Sequence, residues 1–149
     1  MNIKKKNLIN YLGVTTSHGS RHEKLQTIMN KYKLDFIQLT YNIIDREVEN
    51  YLLPLAKERN IAVIANRPFQ GGRLFNYVKN KKLPSMALDL GIKSWADYFL
   101  KFITSHPSVT CAIPATSRID HMEENMQALY GILPNKKERS YLIKEFIEL

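Results

Sequence analysis

Four short clusters hold the side chains able to engage a ligand: Thr15 with Thr16, Gln38 with Asn42, Asn66 with Arg67, and Ala115 through Ser117 followed by Arg118. Amides, hydroxyls and guanidiniums bind and orient a polar molecule; they do not by themselves shuttle protons or form covalent bonds. Gln38 is the most telling of them. A carboxamide inside the run Phe36-Ile37-Gln38-Leu39 gives up water and must find a partner or destabilise the fold. That partner is either a polar ligand or a neighbouring strand, and the segment alone leaves both open. Ser117 and Asp120 mark a helix start with Arg118 in its first turn, whose free backbone N–H groups suit a phosphate. Every capped helix has the same donors, so binding nothing is the other reading.

Other reactive side chains point elsewhere. His18 and His22 have the four-residue spacing of a helical metal pair, but Gly19 and Ser20 set His18 ahead of the helix and no third ligand follows, so no metal is expected. Cys111 sits among apolar neighbours in a strand-like run and is expected as a buried, inert thiol. As the only cysteine it excludes an intrachain disulfide, a four-thiolate metal site and a Cys-x-x-Cys redox motif.

Apolar periodicity describes the elements that must position these groups. Strand-like runs cover Asn10 to Thr15, Asp35 to Tyr41, Ile61 to Ala65 and Val109 to Ile113. After the first, Ser20 and Glu23 stand at capping-box spacing before Leu25, Ile28, Met29 and Tyr32. After the second, Asp45 is placed to cap a helix ending near Arg59, in which Pro54 implies a kink or a late start. The third is followed by the loop Arg67 to Gly72, a short helix from Leu83 to Leu90 closed by Gly91, and a helix opened by Ser94 and Asp97. That helix leaves only Asp97, Lys101 and Thr104 as a polar stripe, so most of it is buried. After the fourth come a helix from Ser117 to about Leu129 and an amphipathic helix over Lys136 to Ile147. Strand, loop and helix repeated in this way predict parallel βα units.

The chain has 149 residues, 44% hydrophobic and 24% charged, and no Gly/Ser or Pro-rich linker, which predicts one domain over residues 1–149 with one core. A formal net charge of +8 raises nucleic acid as a partner, yet the lysines fall in separate places, at Lys4 to Lys6, Lys79 to Lys82 and Lys136 to Lys137, so none is expected. Met1 to Val14 makes no convincing secretion signal, and no apolar run approaches the roughly 18 residues that cross a bilayer. No membrane and a soluble, cytoplasmic protein are the expectation.

Taken together, Tyr11-Leu-Gly-Val-Thr-Thr16, Asp35-Phe-Ile-Gln-Leu-Thr-Tyr-Asn42, Ala62-Val-Ile-Ala-Asn-Arg-Pro-Phe-Gln-Gly-Gly72, and Ala112-Ile-Pro-Ala-Thr-Ser117 with Glu124-Asn125 resemble the second half of the aldo-keto reductases. They occur in that family's order and cover nearly the whole chain. The resemblance implies an α/β fold in which parallel (β/α) units form the second half of a TIM-type barrel, strands five to eight, and it implies NADP or NAD as cofactor.

Carried over by that resemblance, Thr15 and Thr16 stand for the family's Ser-Asn pair, and with Gln38 would hold the nicotinamide carboxamide. Asn66 falls where many members have a Tyr that stacks on the nicotinamide ring. Arg67, Phe69 and Gly71 match the loop along the pyrophosphate, and Ser117 and Arg118 open the helix toward the adenosine-side phosphates. Ala115 and His121 replace a Lys and an Arg that often meet the 2′-phosphate, which leaves NADP and NAD both open. Glu124 and Asn125 match the pair that contacts the adenine.

The family's catalytic Asp, Tyr, Lys and His all precede its fifth strand, so no catalytic residue is assigned here; Tyr11 and Tyr41 lie on the wrong strands to replace them. Met1 falls within the helix that precedes the fifth strand. The expectation is a reductase segment that contributes the cofactor-binding half and is inactive alone. Its partners would be a nicotinamide dinucleotide and an N-terminal half-barrel chain or a second copy of itself, because open parallel edges invite pairing. The alternative is a non-catalytic half-barrel acting as a structural or regulatory subunit.

Overall fold

A computed structural model describes residues 8–17 and 19–149. The lysines at 4–6, the placement of Met1 in a helix and the His18 half of the histidine pair lie outside the described residues. Four parallel strands, β1 (Gly13–Thr15), β2 (Phe36–Thr40), β3 (Ala62–Asn66) and β4 (Cys111–Ala112), form one sheet in sequence order. Helices follow each strand: α1 (His22–Lys31), α2 (Leu52–Glu58), then α3 (Arg73–Val78), α4 (Ser85–Asp89) and α5 (Trp95–Thr104), and finally α6 (Ile119–Gln127) and α7 (Lys136–Ile147). None of the described helices is long and apolar enough to cross a membrane.

The sheet has two unequal faces. Ile37, Leu39, Val63 and Ala65 are fully buried and join Phe99, Phe102, Ile103 and Leu142 in the core. By the two-residue pleat, Phe36, Gln38, Ala62, Ile64 and Cys111 point the other way, and all remain half-buried or exposed. The ladder aligns them in layers, Thr15 beside Gln38, Gln38 beside Ile64 and Ile64 beside Cys111. Among the described residues β1 and β4 each pair on one side only.

Cys111 is therefore exposed, against the expectation of a buried thiol, because its register puts it on the uncovered face of an edge strand. β1 is shorter than Asn10 to Thr15. Leu12 bonds through its N–H to the Asp35 carboxylate at 2.7 Å, and ladder pairing starts at Gly13, where a Cβ would come within 2.9 Å of the Phe36 carbonyl.

Several helix starts also move. A turn over Gly19–Arg21 precedes α1, which has no side-chain cap, so the Ser20–Glu23 box does not form. Asp45 caps no helix; its carboxylate accepts from Asn42 and Gln70, and α2 starts late, at Leu52, with Pro54 in the first turn where no N–H is needed. α3 had no counterpart in the sequence pattern. Ser94 does cap α5, accepting from Asp97 N at 3.2 Å. α6 starts after Arg118, not Ser117, and Thr116 Oγ1 takes the Arg118 N–H. α7 matches its expected span, closed by the reciprocal Asn135–Glu138 box.

A buried cationic latch ties the last helix to this frame. Arg139 of α7 donates to Ser105 Oγ at 2.9 Å, to the Phe102 carbonyl and to Glu49 at 3.1 Å, and lies 4.3 Å over the Phe102 ring. It also donates to the Tyr41 hydroxyl, which in turn donates to Glu49. Burial, more than any partner, holds the Tyr41 hydroxyl well above the ordinary tyrosine range.

Candidate functional site

The loop after β3 carries an unusual backbone. Arg67, Gln70, Gly71 and Gly72 all have positive φ, at 51°, 50°, 66° and 91°. A Cβ on Gly71 or Gly72 would touch nothing within 4 Å, so glycine is needed there for its backbone freedom and not for space. Asn42 and Asp45 brace the loop from β2. Asn42 accepts from the Ile44 and Asp45 N–H groups and donates to the Arg67 carbonyl at 3.1 Å, while Gln70 donates to Asp45 at 2.9 Å. Phe69 packs on Phe75, with ring centroids 4.8 Å apart. Arg67 is left at the surface with no ion pair among the described residues.

This loop faces the end of β4, and between them opens a cleft of about 1120 Å³. It brings together Asn66, Arg67, Phe69, Gly71, Ala115, His121, Glu124 and Asn125 from the sequence reading. Asn125 is buried and Glu124 half-buried at its floor. The N-cap residue of α6, Arg118, makes no side-chain cap, and the Asp120 carboxylate in the first turn takes the His121 N–H.

Lys81, Lys93, Phe75 and Trp95 also line the cleft and were missed by sequence reasoning. The helix start at Ser94 was the available signal for Lys93, since it marks the preceding residue as a loop end. The Lys81 ammonium is engaged, lying 4.4 Å over the Tyr77 ring and donating to the Leu149 carbonyl. Lys93 is exposed and has no side-chain partner among the described residues. With Arg67 it makes the cleft a place for anionic groups.

The remaining expected residues lie off the cleft. Ser117 is exposed. Arg118 turns to Asp120, donating through Nε at 3.0 Å; the hydrogen bond from this guanidinium is the main cause that brings the Asp120 carboxyl down to about 2. Thr15 and Gln38 stand side by side on the uncovered sheet face, and Gln38 has no side-chain partner among the described residues, so the neighbouring strand does not satisfy it. Thr16 is buried, and its carbonyl accepts from Asn66 Nδ2 at 3.0 Å. Asn66 Oδ1 accepts from Thr40 Oγ1 at 2.8 Å. The Asn66 carboxamide thus ties the ends of three strands together, and is occupied where a stacking ring would have been free.

A family model for the aldo/keto reductase family matches residues 2–140. The oxidoreductase YqkF of Bacillus subtilis (strain 168) is 25% identical, over 85% of this chain and 46% of its own. The NADH-specific methylglyoxal reductase of Escherichia coli (strain K12) is 38% identical over 55 residues, 37% of this chain and 17% of its own. An aldo-keto reductase from Bacillus halodurans, in its holo form, superimposes with a TM-score of 0.74 over 97% of this chain and 52% of its own, at 20% identity, a likeness of fold. The chain spans about half the length, or less, of the relatives it matches. Its four parallel strands correspond to half of such a barrel.

Proposed function

Because the chain belongs to the aldo/keto reductase family, we propose that it forms the dinucleotide-holding half of a nicotinamide-dependent carbonyl oxidoreductase. The observation that carries this reading is the cleft between the β3 and β4 loops. It combines a glycine loop at positive φ, the free cations Arg67 and Lys93, and a buried amide beside a carboxylate. That donor set fits a dinucleotide. The cations suit the pyrophosphate, and Glu124 with Asn125 suits the hydrogen-bonding edge of an adenine.

When bound, the nicotinamide group supplies a hydride. Gln38 and Thr15 would orient its carboxamide from the uncovered sheet face, and Phe69, Phe75 and Trp95 would keep water from the cleft. No tyrosine is among the described residues that line the cleft, so the phenol that would give a proton to a carbonyl oxygen is not supplied there. Tyr41 is buried away from it, its hydroxyl held protonated and spent on Glu49 and Arg139. Reduction then needs a complementary half that closes the β1 and β4 edges and brings the acid.

Ala115 offers no charge and Arg118 is neutralised by Asp120, so discrimination between NADPH and NADH is small in this reading. The relative named as NADH-specific agrees with nicotinamide use. The test is calorimetry with both coenzymes and an aldehyde panel on the purified chain. Binding at roughly 0.1 to 1 mM, about 4 to 5.5 kcal/mol, and no turnover are expected. Absence of binding would end the coenzyme reading, and genuine turnover would end the need for a second half.

A further inference from the structure

A second cavity, of about 340 Å³, lies between α5 and the segment after α6 and is lined by Asp89, Lys93, Asp97, Lys101, Gln127 and Tyr130 among others. Asp97 and Lys101 stand one turn apart on α5, only 3% and 2% exposed. They form no hydrogen bond with each other, for Lys101 Nζ stays 3.8 Å from Asp97 Oδ1. Oδ2 accepts the Lys93 N–H at 3.1 Å, but Oδ1 is buried with no hydrogen-bond partner. The ammonium, with three donors, has only this long ion pair among the described residues. Buried charges persist where they are paired and hydrogen-bonded, and here protein atoms leave Asp97 Oδ1 and the Lys101 ammonium without a hydrogen bond.

We propose that this cavity binds a small oxyanion that carries its own hydroxyl, with phosphate the simplest case. Lys101, and Lys93 at the rim, face the anionic oxygens, and Asp97 Oδ1 accepts the P–O–H proton in a hydrogen bond. The four charged groups, Asp89, Lys93, Asp97 and Lys101, balance one another, so selection rests on hydrogen bonding and not on net attraction. Phosphate retains at least one P–OH throughout the neutral range, whereas sulfate has none, and its oxygens would meet the Asp97 carboxylate with no proton between them. The site is separate from the coenzyme cleft and does not depend on the reading of that cleft, although Lys93 borders both.

Inorganic phosphate and sulfate, titrated into the folded chain by calorimetry at constant ionic strength, test this. Phosphate is expected to bind on the order of millimolar, about tenfold tighter than sulfate. Lys101→Met abolishes phosphate binding, while an Arg67→Ala/His121→Ala double variant, which alters the coenzyme cleft, retains it. Asp97→Asn keeps the shape but presents an amide that can donate, so it brings sulfate up to phosphate; this comparison decides the matter even if Lys101→Met does not fold. Equal binding of the two anions by the unaltered chain, binding of neither, or loss with the Arg67/His121 pair while Lys101→Met still binds would overturn the proposal.

Discussion

Around β3 and β4 the loops fold back over α5 and α6 and enclose a cleft from residues of this chain alone. Around β1 and β2 the corresponding side chains, Thr15 and Gln38, stand on the sheet face that stays half-buried or exposed. Both regions sit at the same ends of parallel strands, where such folds gather their ligands. They differ in where their walls come from. Neighbouring strands and their own connections build the first, whereas a barrel interior is completed only by strands from across it. A half-barrel can thus hold one end of a long ligand well and leave the other end exposed.

The Arg139 latch joins α7 to the end of α5 and to the segment after β2, and breaking it should have the largest effect. Arg139→Met leaves the Phe102 carbonyl without this donor and the Glu49 carboxylate with the Tyr41 hydroxyl alone, and is expected to cost about 3–5 kcal/mol in denaturant unfolding. A loss below about 1 kcal/mol would show that water replaces the guanidinium and that α7 is held by apolar packing alone. The next effect tests the seam between the two regions. Asn66→Ala removes the hydrogen bonds to the Thr16 carbonyl and from the Thr40 hydroxyl and should destabilise by about 1–3 kcal/mol, with Asn66→Tyr no better, since the ring cannot bridge both.

Ligand binding should show the asymmetry directly. ADP-ribose is expected to bind within about threefold of NADH, a difference of about 0.6 kcal/mol, because the nicotinamide end finds few contacts in this chain. Gln38→Ala should leave both affinities unchanged within about twofold, while Lys93→Ala weakens both by about fivefold, near 1 kcal/mol. A large loss on Gln38→Ala would mean that the open face grips the ring after all. Supplying a complementary half should make Gln38 matter.

The smallest effect is a pH dependence on the latch side. Burial first, and then the Arg139 and Lys57 charges, hold the His106 imidazole below its ordinary value, with Glu49 opposing. The unfolded chain then takes up the proton before the folded one as pH falls. This contribution to stability is full above the ordinary histidine value of about 6.5 and is lost below it, down toward the depressed folded value. Melting temperatures measured from pH 8 to 5 should fall less steeply for His106→Gln than for the unaltered chain; equal slopes would place the dependence elsewhere.

Much of the frame was legible without coordinates. α7 matched its expected span because its apolar spacing is contained within a dozen residues, and the β2 and β3 strands were found because short β-branched runs bury on one face in any parallel sheet. The residues at the strand ends were recognised for the same reason, since order along the chain is order across such a sheet. Helix starts were less legible. Ser20, Asp45 and Ser117 have the right chemistry for a cap, but whether a cap forms depends on where the chain enters the helix.

What the sequence determined by itself is the parallel frame, the family and which strand ends carry polar groups, all consequences of local pattern and order. Only the tertiary structure decided that Cys111 is exposed, that Asn66 ties three strands, and that Lys93 joins a cleft from the segment between β3 and α5. Each of those depends on a neighbour distant along the chain or on which face of a strand is covered. Periodicity carries no information about either, because the same alternation serves a covered and an uncovered face, and the same cation can reach a carboxylate or a cleft.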